Sequence, residues 1–114
     1  MITIEKLKAY GANTDEGLAR CMNNEAFYLK MIGMGLADAN FNNLKNAVAA
    51  GNAKQAFEAA HALKGVVGNL ALTPIYTPVS ELTERLRGKS EMVDVTDLLN
   101  QVMDQFEKAR ALDA

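Results

Sequence analysis

Apolar residues recur along the chain at spacings of three and four, the signature of helices that bury one face. In "DANFNNLKNAVAAG", Phe41, Leu44 and Val48 fall at i, i+3 and i+7. This predicts a helix from a cap at Asp38 through Ala50, with Gly51 at C′. Asn52 and Gln55 stand at capping-box spacing, so the next helix opens at Ala53. Its seam reads Phe57 (or Ala56), Ala60, Leu63, Val67 and Leu70. Pro74, after Thr73, suits a first helical turn. That helix carries Ile75, Val79, Leu82 and Leu86 and ends before "RGKSE". Pro78, one turn inside, predicts an irregular first turn or a bent axis. Asp94 caps a last helix whose broad stripe is Val95, Leu98, Leu99, Val102, Phe106 and Ala109.

The N-terminal third reads as shorter pieces. A first helix begins after Thr3 and stops near Tyr10–Gly11. Thr14, followed by Asp15 and Glu16, has the form of an N-cap with acidic residues in the first turn, and its helix carries Leu18, Cys21 and Met22. Asn23 or Asn24 caps the next helix, which presents Phe27, Met31 and Met34 on one stripe. No alternating run with a hairpin turn occurs. Short connections favour antiparallel neighbours, and no repeat or linker divides the chain. The expectation is all-α: one bundle over residues 1–114, four longer helices with a smaller N-terminal cover.

Composition narrows the function classes. The 114 residues carry a net charge of −2, without the basic stripe of a nucleic-acid binder. A single Cys21 and a single His61 make a structural zinc site improbable, and an unpaired cysteine fits a reducing compartment. No stretch approaches the roughly 20 apolar residues of a membrane span. The start "MITIEKLKAYG" lacks the pattern of a signal peptide. The cytoplasm is the expected location.

Candidate chemistry gathers in "HALKGVVGNLAL", residues 61–72. On a helix, His61, Lys64, Gly65 and Gly68 fall at i, i+3, i+4 and i+7, on a stripe apart from the core seam. Glycine in a helix interior costs about 1 kcal/mol relative to alanine, so two of them call for a reason. Imidazole is a competent nucleophile near neutral pH. Gly65 and Gly68 would remove the Cβ groups that hold a large partner away, and Lys64 would supply charge for a phosphoryl group. Plainer readings stand beside this one. The histidine can be an ordinary surface residue, Gly65 can be the C′ residue that ends the helix, and Lys64 can be merely solvated. The glycines of "GMG", residues 33–35, read as a helix contact or bend.

"AHALKGVVGNLAL" resembles the motif of histidine-containing phosphotransfer (HPt) domains, with His61, Leu63, Lys64, Gly65 and the Leu70–Ala71 pair in the motif's places. Weaker similarity covers about residues 15–87. The resemblance implies an up-and-down four-helix bundle with short additional N-terminal helices. It implies a phosphocarrier without an ATP site, not an enzyme in its own right. His61 would take a phosphoryl group from a receiver-domain aspartate and pass it to another receiver. Lys64 would be the neighbouring cation, and Gly65 the opening that admits the receiver. Partners would be response-regulator receiver domains and a hybrid sensor histidine kinase, with no cofactor of the chain's own and Mg²⁺ at the receiver's site. A monomer is expected. The alternatives are a non-catalytic adaptor that binds receivers and a phosphoacceptor domain excised from a histidine kinase. Ala71 departs from the commoner glycine, and Val66 and Val67 are bulkier than usual, predicting a more apolar edge to the docking surface.

Overall fold

The computed structural model describes residues 1–114, in seven helices and no strand. Four of them form the bundle: α4 (Asn40–Ala49), α5 (Ala53–Asn69), α6 (Thr73–Leu86) and α7 (Thr96–Ala111). Neighbours in sequence pack side by side, α4 on α5, α5 on α6 and α6 on α7. The turns between the first three are too short for any but antiparallel pairing. Before them come α1 (Ile4–Tyr10), α2 (Thr14–Arg20) and α3 (Glu25–Leu36). No helix is long and apolar enough to cross a membrane.

Local chemistry explains the boundaries. Asn52 accepts the N–H of Gln55 at 3.0 Å and starts α5, while Gly51, at φ +69°, ends α4 in the left-handed conformation that glycine adopts without penalty. Asp38 accepts the N–H of Asn40 at 2.8 Å, and Asp94 accepts that of Thr96 at 3.0 Å. The capping positions themselves are Ala39 and Val95, so each expected aspartate bonds from one residue before the cap, and the bond from Thr96 holds the Asp94 carboxyl below its ordinary range. Pro78 lies buried inside α6 without ending it.

The core is one cluster that includes Leu44, Leu63, Val67, Ile75, Val79, Leu82, Leu86 and Val102, all essentially sealed from solvent. Phe41 and Phe106 stack across it, with centroids 3.9 Å apart. Ala56, not Phe57, takes the ambiguous seam position, since Ala56 is fully buried and Phe57 only half-buried. The chain ends meet. The Met1 ammonium donates to the Asp113 carbonyl at 2.9 Å, and Lys6 Nζ reaches the carbonyls of Leu112 and Ala114.

The N-terminal third differs from the sequence reading in three places. Asn13 is the cap of α2, its side chain accepting the N–H of Glu16, while Thr14 is the first helical residue and is buried. α2 then ends at Arg20, which leaves Met22 beyond it and 89% exposed. Asn24 is the cap of α3, but the stripe of Phe27, Met31 and Met34 is not its buried face. Phe27 and Met34 face solvent, and Tyr28, Ile32, Gly35 and Leu36 are buried instead. The reason is close approach. A Cβ on Gly35 would run into the side chain of Leu70, which caps the end of α5, and one on Gly17 would stand 2.5 Å from the Tyr28 ring. Contacts this tight fix which face of α3 turns inward.

Candidate functional site

α5 runs unbroken from Ala53 to Asn69, so neither Gly65 nor Gly68 ends it. Its end is a Schellman turn, in which the N–H of Ala71 bonds to the Gly68 carbonyl and that of Leu72 to the Val67 carbonyl. Ala71 therefore holds the C′ position at φ +57°, where a side chain costs about 1 kcal/mol. Arg20, from α2, donates to the carbonyls of Gly68 and Asn69 and pairs with Glu16. The phenol of Tyr28 donates to the Leu70 carbonyl at 2.8 Å. Two side chains of the N-terminal cover thus bond the last carbonyls of the helix end, of which those of Asn69 and Leu70 have no backbone donor.

His61 is exposed. With Lys64, Gly65, Gly68, Tyr76 and Arg20 it lines an open depression of about 630 Å³. The structure thus gathers all four sequence-selected residues in one place. Phe57, one turn earlier on α5, stacks on the imidazole with centroids 5.6 Å apart and planes inclined by 21°. One face of the ring is thereby supported by its own helix.

The two glycines differ. A Cβ at Gly65 would meet nothing within 4 Å, so the backbone there is bare and open. A Cβ at Gly68 would come within 3.0 Å of the Tyr76 ring. Gly68 therefore has a packing reason of its own, making room for α6. Of the two valines expected to make this edge more apolar, Val67 lines the depression from its buried position and Val66 is half-buried, packing towards Gly35.

Charge is supplied from two helices. Lys64 Nζ, on α5, lies 3.9 Å from Glu84 Oε1 on α6. Glu84 also accepts from Arg87 Nε at 2.6 Å, and the Arg87 guanidinium lies over the Phe57 ring, 5.2 Å from its centroid. The hydrogen bond from Arg87 holds the Glu84 carboxyl below the ordinary carboxylate range, and Lys64 and His61 act in the same direction. Glu84, Arg87, Arg20 and Tyr76 escaped the sequence reading because only the fold brings them to the histidine. The helical spacing of Phe57 and His61, at i and i+4, was available as a signal for their contact. No group of three His, Cys, Asp or Glu side chains is placed to hold a metal ion.

The chain is also similar to a known family. The family model described as Hpt domain matches residues 35–111, the end of α3 and the whole α4–α7 bundle. No curated protein and no solved structure matches the chain. The match begins later than the similarity expected from about residue 15, and it takes in the last helix, for which no motif had been found. An exposed histidine on the second helix of a four-helix bundle, within a match over more than half of its length, completes the case: the chain belongs to the Hpt domain family, the phosphocarrier modules of phosphorelays.

Proposed function

We propose that His61 is the phosphoacceptor of this domain, taking its phosphoryl group from the aspartyl phosphate of a response-regulator receiver and yielding it to another receiver. The observation that carries the reading is the pairing of an exposed His61 with the empty space over Gly65. An unprotonated ring nitrogen attacks phosphorus in line with the departing carboxylate. The acyl-phosphate P–O bond breaks, the aspartate leaves with its electron pair, and an N–P bond forms. The onward step reverses this at the next aspartate.

Such a transfer requires positioning and charge neutralisation more than covalent help. Phe57 steadies the ring, Lys64 offers a cation, and Gly65 lets the receiver's backbone approach. Gly68 adds to the same bare strip while admitting Tyr76. The receiver brings Mg²⁺ and the aspartate, so the chain needs no cofactor of its own and no ATP site. A hybrid sensor histidine kinase is the upstream source this reading implies, and the cytoplasm is where it would operate. The carrier acts as a monomer.

Incubation with a phosphorylated receiver tests the proposal. Label should reach the wild-type protein, be lost in acid and survive base, and be absent from His61→Gln. Receiver binding with no transfer would mean an adaptor instead. Labelling by an ATP-charged kinase but never by a receiver would mean a kinase phosphoacceptor domain.

A further inference from the structure

On the α6 side of His61 one carboxylate pairs with two cations. Glu84 Oε1 stands 3.9 Å from Lys64 Nζ and 3.3 Å from Arg87 Nη2, and Oε2 stands 2.6 Å from Arg87 Nε. One carboxylate therefore engages Lys64, which lines the depression with the imidazole, and Arg87, which stands behind the Phe57 ring. Arg87 is linked to the ring through Phe57, which it covers on one side and which stacks on His61.

We infer that Glu84 is a positioning residue that holds Lys64 and Arg87 in the unphosphorylated protein, surrenders them to a phosphoryl group on His61, and thereby limits how long that group survives. The inference deepens the carrier reading and rests on it. A phosphoryl group carries about two negative charges against one on a carboxylate, and attraction at equal distance scales with charge. Lys64 and Arg87 therefore turn towards the phosphoryl group once it is present. Glu84 stays within their reach, competes for them and repels the new anion. Its side chain is about half exposed, as is that of Arg87, so these pairs exchange partners readily and contribute little to the fold. The consequence suits a carrier, which must release its cargo as well as hold it.

The test loads His61 chemically with phosphoramidate. The imidazole nitrogen attacks phosphorus, the donor's P–N bond breaks and ammonia departs. Hydrolysis then transfers the group to water, returning a proton to the ring and releasing inorganic phosphate. The half-life of phosphohistidine is followed by phosphorus NMR. Glu84→Gln should lengthen it roughly two- to fivefold, the size expected for one like charge in solvent, with an unchanged melting temperature. In a Lys64→Ala, Arg87→Ala background the same substitution should lengthen it clearly less, because the competition for cations is gone and only the direct repulsion remains. An unchanged or shortened half-life overturns the inference, and so does equal lengthening in the background without the two cations. Loading needs no receiver. Failure of receiver transfer therefore counts against the carrier reading, while the half-lives alone decide the role of Glu84.

Discussion

The buried phenol of Tyr28 donates to the backbone carbonyl of Leu70 at 2.8 Å, joining the middle of the N-terminal cover to the end of the helix that bears His61. Deleting the hydroxyl leaves a buried acceptor without its donor. Tyr28→Phe should cost about 1–3 kcal/mol, seen as a lower midpoint in urea with an unchanged slope.

The same tyrosine makes stability depend on alkaline pH. Burial pushes the Tyr28 phenol up to about 12, the Cys21 thiol adding to the effect, and burial and Asp104 push Tyr10 upward as well. In the unfolded chain both ionise near pH 10. Because the folded values are the higher, the contribution is complete below about pH 10 and is lost as pH rises beyond it. Denaturation midpoints should fall above pH 10, less steeply in Tyr28→Phe.

Gly65 separates function from stability. With nothing near its missing Cβ, Gly65→Ala should stabilise the helix by about 1 kcal/mol through propensity alone. Gly65→Val should slow receiver transfer at least about tenfold, equivalent to about 1.4 kcal/mol, without lowering the melting temperature. Equal losses of transfer and stability would mean that the position serves packing.

Gly68 should behave in the opposite sense. Its added Cβ would crowd the Tyr76 ring at 3.0 Å, so Gly68→Ala should forfeit the gain seen at Gly65 and shift the near-ultraviolet signal of tyrosine. A melting temperature raised as far as in Gly65→Ala would show that the ring yields freely.

Ala71 is a correctable flaw. It sits at φ +57° in the turn that closes α5, so Ala71→Gly should raise stability by about 1 kcal/mol, because glycine enters this conformation without a Cβ penalty. Thermal denaturation measures the gain directly.

Much of this architecture was legible as pattern. The cap at Asn52, the helix starts beside Asp38 and Asp94, the seam from Ala60 to Leu70 and the stripe of α7 all follow from spacing and side-chain chemistry. The inward face of α3 was not. Phe27, Met31 and Met34 form the more conspicuous apolar stripe, yet Gly35 admits Leu70 and Tyr28 reaches a distant carbonyl. Glycine has no side chain to enter a hydropathy pattern, and the partner of a tyrosine hydroxyl is a tertiary fact. The site divides in the same way. His61, Lys64, Gly65 and Gly68 share one helix and one stripe. Glu84 and Arg87 reach Lys64 and Phe57, the neighbours of the histidine, only because α6 packs antiparallel beside α5, with a three-residue turn between them.

The meeting of the Met1 ammonium with the Asp113 carbonyl makes the polypeptide nearly circular. A few flexible residues joining the two ends would close it, and new ends opened in the exposed stretch Arg87–Glu91 would yield a permuted protein with every bundle helix intact. The same adjacency suits insertion of the whole domain into a surface loop of a host, which need part by only a few ångströms to receive it.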